Sequence, residues 1–306
     1  EEEAVKAYRL CGQAIDALSK ISQKFPCDFA YRPSIYLAAT EGDIESMLKE
    51  CDARANAGFD VRWLNSKELA DEFGFQASGA IVSRLGGEID PYKLTQRIFE
   101  FLNEQGVPIY ERTEIVFDEK DGRKLTTKDG FAIRAERAIF ASGYKSQGYL
   151  SEEVVKLHST YAFVSEPLPE EMLWKEKALW WDSADPYLYA RSTADNRIMI
   201  GGGDKSFWRA PLRNAVHQKQ IDTVVENARQ YYPVAQWNVA YSWDGVFGET
   251  KDGLAYIGAP DDWQNADCAL GFGGNGITYS QLAAEMLVAK YLGDEPEDLK
   301  LFRFGR

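Results

Sequence analysis

The stretch DCALGFGGNGITYSQLAAEML, residues 267–287, decides the fold class of this chain. An apolar run ends at Leu270, glycines follow at 271, 273, 274 and 276, and apolar residues then recur at helical spacing. This order predicts a strand, a tight glycine turn and a helix that begins near Ile277. Glycines let backbone amides approach a ligand, and the free N–H groups of a helix N-terminus favour negative charge. The stretch therefore predicts a ligand-binding turn in an α/β protein.

The glycine spacing allows two interpretations. Residues 271–276 spell G-x-G-x-x-G, which in a dinucleotide-binding unit is followed by a second strand that ends in an acidic residue. Residues 299–304 could supply that strand, but Arg306 stands where the acid belongs. We therefore favour a turn that packs against a planar cofactor such as a flavin, and an NAD dehydrogenase built on this turn is the weaker alternative.

Length, charge and cysteine spacing exclude several classes of protein. A chain of 306 residues is long enough for about two domains. Its formal net charge of −13 argues against a nucleic-acid partner, which requires a basic surface. The four cysteines and two histidines are scattered, so neither a disulfide framework nor a zinc site is predicted. The sequence shows no signal peptide and no apolar run long enough to span a membrane, so we expect a cytoplasmic protein.

Periodicity and turn residues predict the remaining elements. Asp90 and Pro91 are typical of a helix N-cap and first helical position, so a helix is expected from there to about Glu104. Further helices are predicted at 3–22, 43–58 and 213–231. Strands are predicted at 29–40, 107–116, 138–141 and 160–168, with hairpin turns at 129–130 and 194–196. The order predicts an α/β protein in which residues 160 to about 243 form a mostly antiparallel sheet covered by one helix.

Five motifs together resemble one known family. They are GGEIDPYKLT (86–95), AIFASGY (138–144), HSTYAFVSEPL (158–168), GVFGETKDGLAYIGAP (245–260) and GFGGNGITYSQLAAEML (271–287). In this order they resemble the D-amino-acid oxidase-type FAD-dependent oxidoreductases, which include glycine oxidase, monomeric sarcosine oxidase and γ-glutamylputrescine oxidase. The resemblance runs from Glu1 to Arg306 and implies a two-domain flavoprotein fold of mixed α/β type.

The resemblance also implies how the domains alternate along the chain and what they bind. The FAD-binding domain is expected at 1–27, 76–157 and 246–306, and the antiparallel substrate domain at 28–75 and 158–245. The implied reaction is oxidation of the C–N bond of a small amine or amino-acid-like substrate by hydride transfer to FAD, followed by hydrolysis of the imine. The electron acceptor is expected to be oxygen or a carrier.

The residues implied to contact FAD lie in four places. Ile115 is expected to meet the adenine through its backbone, and the apolar strand ending in Ala141, Ser142 and Gly143 is expected to pass beside the nucleotide. The glycine turn near the end of the chain is expected to hold the carbonyl edge of the flavin with its amides and with a helix N-terminus. This turn comprises Gly273, Gly274, Asn275, Gly276, Ile277 and Thr278. Gly245 is the last residue implied to contact FAD.

Several positions depart from the family pattern. The family's own glycine fingerprint and ribose-binding acid have no equivalent here, so we expect an incomplete FAD-binding domain and a truncated N-terminus. The alternative is a flavin-less remnant that acts as a ligand-binding or inactive module. Phe247 and Gly274 stand where glycine oxidase-like members place arginines, and a guanidinium is the natural partner of a carboxylate. Simple α-amino acids are therefore disfavoured as substrates.

The sarcosine oxidase pattern differs in two further positions. Thr278 stands where sarcosine oxidase has its closing-loop lysine, and a threonine at this position is more similar to γ-glutamylputrescine oxidase. The cysteine that tethers flavin in sarcosine oxidase falls near Gly245, so a covalent flavin is not expected.

A substrate pocket is predicted from aromatic residues near two strands. Tyr187, Tyr189 and Arg191 alternate along one strand and so share a face, and Arg191 could pair with an anionic substrate group. Trp243 and Phe247 are assigned to the same pocket, and a position in the core is the alternative for Trp243. No catalytic acid or base is assigned, because the cofactor performs the difficult step in this chemistry.

Overall fold

The computed structural model describes residues 2–207, 209–233, 238–294 and 296–306 and divides them into two compact units. Unit 1 consists of the segments 1–29, 89–157 and 247–306, and unit 2 consists of 30–88 and 158–246. Glu1, with which the first predicted FAD-binding segment begins, lies outside the described residues. The fold is of mixed α/β type with several sheets. None of the described helices is long and apolar enough to cross a membrane.

The described part of the chain contains six α-helices and sixteen strands. The helices are α1 (Glu2–Lys24), α2 (Ile44–Asn56), α3 (Ser66–Phe73), α4 (Pro91–Glu104), α5 (Ala210–Tyr231) and α6 (Gly276–Tyr291). The strands are β1 (Ala30–Tyr31), β2 (Ser34–Leu37), β3 (Val61–Asn65), β4 (Gly79–Ser83), β5 (Gly87–Glu88), β6 (Ile115–Val116), β7 (Leu125–Thr127), β8 (Ala132–Ile133), β9 (Ala138–Phe140), β10 (Lys156–Ser165), β11 (Leu179–Asp182), β12 (Leu188–Ser192), β13 (Ile198–Ser206), β14 (Val239–Glu249), β15 (Tyr256–Gly258) and β16 (Ala266–Leu270).

Unit 2 is built on an eight-stranded sheet with the order β14-β10-β13-β12-β11-β2-β4-β3. The pairs β10–β13, β13–β12, β12–β11, β2–β4 and β4–β3 are antiparallel, and β11 runs parallel to β2. One face carries the main core, where apolar side chains of the strands pack with Ile221 and Val224 of α5. Residues of α2, including Met47 and Cys51, cover part of the opposite face near Ile81 of β4.

Unit 1 contains two three-stranded sheets, with the orders β15-β16-β9 and β6-β7-β8. Strands β16 and β9 run parallel, with Cys268 opposite Phe140, so their carboxyl ends lie at the same edge of the sheet. Helix α6 follows β16 and packs on the sheet through Leu282 and Met286, and α1 packs against α6. This strand–turn–helix order is the one that residues 267–287 predict.

Helix α4 confirms the capping prediction. The Asp90 side chain accepts a hydrogen bond from the backbone N–H of Lys93, and Pro91 occupies the first helical position, where no N–H is required. The helix ends at Glu104, as predicted. The hairpin turn at 129–130 and the turn between β12 and β13 are also confirmed.

One strand prediction is wrong for most of its length, and the strand that the dinucleotide-binding alternative would need is not formed. Only Ile115 and Val116 of the predicted strand 107–116 pair with a neighbour, and Val107 and Ile109 are exposed. Residues 299–304, the segment that a dinucleotide-binding unit would need as a strand, fall largely within a 3-10 helix at Glu297–Phe302. Leu299 and Phe302 are buried three positions apart, which is the spacing of that helix and not of a strand.

Candidate cofactor and substrate sites

The predicted cofactor residues of unit 1 meet at the carboxyl edge of the parallel pair β9–β16. Ala141 to Gly143 follow β9 directly, and the glycine turn from Gly271 follows β16. Because neighbouring strands lie about 4.8 Å apart, the two turns leave the sheet side by side. The carboxyl edge of parallel strands is where α/β proteins bind their ligands.

Open space lies next to the backbone of both turns. A side-chain carbon placed on Gly143 or Gly273 would meet no atom within 4 Å, and one on Gly276 would meet only Phe272, at 3.9 Å. Gly143 and Gly273 have φ values of 61° and 52°, a conformation that L-residues rarely adopt. The turns are therefore shaped to leave room at the backbone, as a planar cofactor requires.

Some backbone N–H groups of the glycine turn donate hydrogen bonds that stabilise the turn, and others have no acceptor within the helix. The N–H of Gly273 donates to the carbonyl of Gly248, and that of Asn275 donates to Phe272, so these two amides stabilise the turn. Tyr279 is the first residue of α6 whose N–H bonds back to the turn, at Asn275. The N–H groups of Gly276, Ile277 and Thr278 precede it and have no acceptor within the helix. They are the amides of this turn that can bind a negatively charged edge.

The remaining predicted cofactor residues lie elsewhere. Ile115 is on β6, and its carbonyl accepts a hydrogen bond from the Tyr149 hydroxyl at 3.1 Å, so that backbone oxygen already has a partner. Gly245 is on β14 in unit 2, where a side-chain carbon would lie 3.5 Å from Cγ2 of Thr160. Phe247 is half-buried and belongs to unit 1. The structure thus brings together the turns after β9 and β16, and it places Ile115 and Gly245 in other sheets.

The predicted substrate residues of unit 2 share one face of the eight-stranded sheet. Leu188 and Ala190 of β12 point into the core with α5, so Tyr187, Tyr189 and Arg191 point to the opposite face. Ser242 of β14 contacts His217 of α5. Trp243, its neighbour, therefore also points away from the helix.

Arg191 is held in an ion pair within this unit. Its Nη1 lies 3.3 Å from Oε2 of Glu88, while Nε of Arg32 donates to Oε1 of Glu88 at 2.8 Å. The Glu88 side chain is 11% exposed, so both guanidiniums share one largely buried carboxylate. This pairing weakens the prediction that Arg191 binds an anionic substrate group, because its charge is already partly compensated.

The close contact of Tyr189 with Gly201 on this face escaped the sequence analysis. Tyr189 lies opposite Gly201 of β13, and a side-chain carbon on Gly201 would lie 2.3 Å from the Tyr189 hydroxyl oxygen. The tyrosine ring therefore crosses the glycine. Burial raises the pKa of the Tyr189 phenol, the hydroxyl of Thr160 opposes this rise, and the nearby charge of Asp204 adds to it. The run GGGD at 201–204 was the available signal, since consecutive glycines in a strand mark a close approach.

Side chains that could act as nucleophiles or metal ligands do not form a second site in the ranges described. Burial raises the pKa of the Cys11 and Cys268 thiols to about 11, so neither is a thiolate at neutral pH. In those same ranges, no group of three or more His, Cys, Asp or Glu side chains is placed to hold a metal ion. Tyr279 packs in the core and donates its hydroxyl to the carbonyl of Gly253.

In unit 1 a glycine turn lies at the carboxyl ends of parallel strands, next to a helix N-terminus, and the same chain also forms the antiparallel sheet of unit 2. This combination is typical of a nucleotide- or flavin-binding α/β protein. Residues 1–290 match the model of the family described as DAO, FAD dependent oxidoreductase, and the chain belongs to this family.

Two curated relatives agree with this assignment. The chain is 23% identical over 268 residues to the sarcosine oxidase subunit beta of Arthrobacter sp, covering 80% of this chain and 63% of that protein. It is 26% identical over 273 residues to glycine oxidase of Geobacillus kaustophilus (strain HTA426), covering 83% of this chain and 68% of that protein. The chain thus spans roughly two thirds of the length of the curated relatives that it matches.

Solved structures show the same fold. L-proline dehydrogenase from P. horikoshii superposes with a TM-score of 0.82 at 14% identity, over 96% of this chain and 81% of that one. Glycine oxidase from Geobacillus kaustophilus superposes with a TM-score of 0.79 at 21% identity, over 97% of this chain and 81% of that one.

Proposed function

We propose that this chain forms most of an FAD-dependent oxidoreductase that oxidises the C–N bond of an amine or amino-acid-like substrate. The observation that carries the proposal is the pair of open turns, 141–143 and 271–278, at one carboxyl edge of the sheet of unit 1. Membership of the FAD-dependent family supports the choice of cofactor.

The residues present fit FAD in a defined way. Gly276, Ile277 and Thr278 would direct amides and the helix dipole at the carbonyl edge of the flavin, where negative charge develops on reduction. Ala141, Ser142 and Gly143 would lie beside the nucleotide. Bound FAD would supply the hydride acceptor that converts the C–N bond to an imine, which water then hydrolyses. The protein's own contribution is orientation of the substrate and exclusion of water.

The substrate class follows from the residues that are missing. Phe247 cannot form the bidentate carboxylate clamp that an arginine provides. Arg191 is paired with Glu88. We therefore propose an amine without an essential carboxylate, a preference shared with γ-glutamylputrescine oxidase-like members, and expect glycine and sarcosine to be poor substrates. Efficient turnover of either compound in a steady-state assay would contradict this assignment.

A second candidate is a flavin-less binding module, and one observation favours it. Strand β9 pairs only with β16 among the described strands, and Ile139 on β9 is 54% exposed. An apolar residue on a free sheet edge invites a further strand. In a binding module this edge would stay open, and the turns after β9 and β16 would hold a smaller ligand in place of FAD.

One experiment separates the two candidates. A visible absorption spectrum is recorded for the purified chain before and after addition of FAD, and the flavin is identified after heat release. A two-banded flavin spectrum with FAD recovered supports the enzyme. A chain that stays colourless in excess FAD rules out FAD binding by these residues alone and leaves the binding module.

A further inference from the structure

A short 3-10 helix begins at the last residue of the turn after β9. We call this element, Gly143–Tyr149, the support helix. Two of its polar side chains point into unit 1, since Ser146 is fully buried and Gln147 is half-buried. Burying a hydroxyl or an amide costs free energy unless hydrogen bonds compensate for it. The partners of these two residues therefore show what the support helix holds in place.

Ser146 connects the turn after β9 to the neighbouring strand β16. Its Oγ lies 2.7 Å from Oγ of Ser142, the middle residue of the turn 141–143. Burial raises the pKa of the Cys268 thiol, and a hydrogen bond from the Ser146 hydroxyl to its sulfur opposes this rise. Cys268 is buried in β16, directly opposite Phe140 of β9. One buried hydroxyl therefore ties Ser142 to the strand that leads into the glycine turn.

Gln147 connects the support helix to the glycine turn itself. Its Oε1 accepts hydrogen bonds from the backbone N–H groups of Val154 at 2.8 Å and Val155 at 3.2 Å. Its Nε2 donates to the carbonyl of Glu152 at 2.6 Å. Val155 is 2% exposed, and a side-chain carbon on Gly271 would lie 3.2 Å from its Cγ1. The Gln147 amide thus holds the backbone of the residue that packs on the first glycine of the turn.

Two tyrosines of the support helix make further contacts with predicted cofactor residues or their partners. The Tyr149 hydroxyl donates to the carbonyl of Ile115 at 3.1 Å. A side-chain carbon on Gly248 would lie 3.3 Å from Cβ of Tyr144, and the carbonyl of Gly248 accepts the N–H of Gly273. The support helix therefore reaches Ile115 and both turns, directly or through one intervening residue. These are the three places in unit 1 that are predicted to contact FAD.

We propose that Ser146 and Gln147 are positioning residues for FAD, which fix the turns 141–143 and 271–278 relative to each other before the cofactor binds. The inference rests on the proposed function in naming the ligand of the turns, but the positioning is a property of the chain without flavin. A ligand that contacts two turns binds more tightly when both are already in place, because ordering them on binding costs conformational entropy. Neither residue has to contact the flavin, since both act through the hydrogen bonds that they make within unit 1.

The first test compares two variants of Gln147 by hydrogen-exchange mass spectrometry on the full chain without flavin. Gln147→Leu removes the acceptor of the Val154 and Val155 amides, whereas Gln147→Glu keeps it as a carboxylate oxygen. In Gln147→Leu we expect exchange about fivefold faster at 152–156 and 271–276, and in Gln147→Glu exchange close to that of the unaltered chain. The pairing of β15 with β16 should exchange at an unchanged rate in both variants. A merely structural loss of stability would instead accelerate exchange throughout this sheet, and that result would overturn the proposal.

Flavin titration is the second test. Ser146→Ala and Gln147→Leu should each raise the dissociation constant for FAD about fivefold or more, because the turns must then be ordered on binding. Ser146→Cys and Gln147→Glu should restore most of the affinity, since each keeps a hydrogen-bonding group of similar size in place. Ser22→Ala is the control, because the Ser22 hydroxyl donates only to the Ser19 carbonyl within α1, at 2.6 Å, and it should change nothing. Melting temperatures by circular dichroism establish that each variant is folded.

Failure of this inference is distinguishable from failure of the proposed function. If the chain binds FAD, and a folded Gln147→Leu shows unchanged exchange at 271–276 and unchanged FAD affinity, the enzyme assignment stands and the positioning role is overturned. If the chain stays colourless in excess FAD, but exchange at 271–276 is faster in Gln147→Leu and not in Gln147→Glu, the positioning of the turns stands and the flavin assignment is lost.

Discussion

Gly276 is the residue at which cofactor binding and folding can be separated most cleanly. A side-chain carbon there would meet only Phe272, at 3.9 Å, and its φ is not among the positive values. The substitution Gly276→Val is therefore compatible with the fold, but it places methyl groups where the flavin edge is expected. We expect at least a tenfold loss of FAD affinity with little change in melting temperature, measured by flavin titration and thermal denaturation.

Gly148→Val is the matched control for Gly276→Val. A side-chain carbon at Gly148 also meets no atom within 4 Å, and this position lies outside the two turns. It should leave FAD affinity unchanged. If Gly276→Val retained normal FAD affinity, the turn after β16 would not be the flavin-binding turn.

Gly201 is the residue that allows Tyr189 to lie flat across β13. A side-chain carbon there would lie 2.3 Å from the hydroxyl oxygen and 2.4 Å from Cζ of Tyr189, so Gly201→Ala must displace the ring. Overpacking of this kind costs about 1–3 kcal/mol, and the ring can move toward solvent, so we expect a loss of about 1–2 kcal/mol in the free energy of unfolding. Urea denaturation measures this loss.

A double-mutant cycle tests whether the clash with Tyr189 is the cause. In a Tyr189→Ala background, Gly201→Ala should cost nothing, because the ring that it displaces is absent. Gly245→Ala is a control on the same face, since its added carbon would lie 3.5 Å from Thr160, an ordinary contact. A similar cost of Gly201→Ala with and without the ring would show that backbone strain, and not the ring, is responsible.

At the scale of elements, one buried carboxylate connects β9, β16 and α6. The Asp267 side chain is 2% exposed, its Oδ2 lies 2.6 Å from Nη1 of Arg137, and its Oδ1 lies 2.7 Å from Nζ of Lys290. Removing a buried partner leaves charges uncompensated and typically costs 3–5 kcal/mol. Arg137 and Lys290 keep 32% and 21% exposure and can be hydrated, so Asp267→Ala should cost about 2–3 kcal/mol.

Urea denaturation with an unchanged slope measures the cost of Asp267→Ala. Lys290→Met is the milder comparison, because Arg137 remains to pair with Asp267, and it should cost about 1 kcal/mol. If Asp267→Ala lowered the free energy of unfolding by less than about 0.5 kcal/mol, the ion pairs of Asp267 with Arg137 and Lys290 would not hold the three elements together.

The elements that could be predicted from sequence are those with local signals. Helix α4 carries a cap at Asp90 and a proline at its first position, and the glycine turn of α6 is explicit in the sequence. Residues 107–116 contain several strand-forming residues, but a strand also needs a neighbour, and only Ile115 and Val116 have one. Strand-forming composition says nothing about which sheet edge is available to pair.

The contacts of Tyr189 and Arg191 in unit 2 could be predicted even less from local sequence signals. Alternation placed Tyr187, Tyr189 and Arg191 on one face. It could not show that Arg191 pairs with Glu88, which lies 103 positions away in sequence. The contact of Tyr189 with Gly201 depends on the register between β12 and β13, and register follows from the whole sheet. Local composition therefore identified the glycine turn before α6, while the contact of Tyr189 with Gly201 required the assembled sheet.

At the scale of the whole molecule, the chain passes between the two units at residues 29–30, 88–89, 157–158 and 246–247. Each unit is therefore assembled from segments that are distant in sequence. In unit 2, the junction between its two segments is the parallel pairing of β11 with β2, which places Trp180 opposite Ile35. The core of unit 2 draws on both segments, since Ile35 and Phe75 pack in one cluster with Trp180.

The interleaving predicts that residues 158–246 will not fold alone. Without 30–88, β11 becomes an unpaired edge, and Trp180, now 1% exposed, loses Ile35 and the ring of Phe75, whose centroid lies 5.7 Å away. Each lost apolar partner of this size is worth about 1.5–3 kcal/mol, a large part of the 5–15 kcal/mol that stabilises a typical domain. We expect the 158–246 segment to show no cooperative unfolding by circular dichroism, and co-expression with 30–88 to restore a sigmoidal transition. A cooperative transition in 158–246 by itself would show that the core on β10, β12 and β13 is sufficient, and that β2 and β4 extend the sheet without being needed to form it.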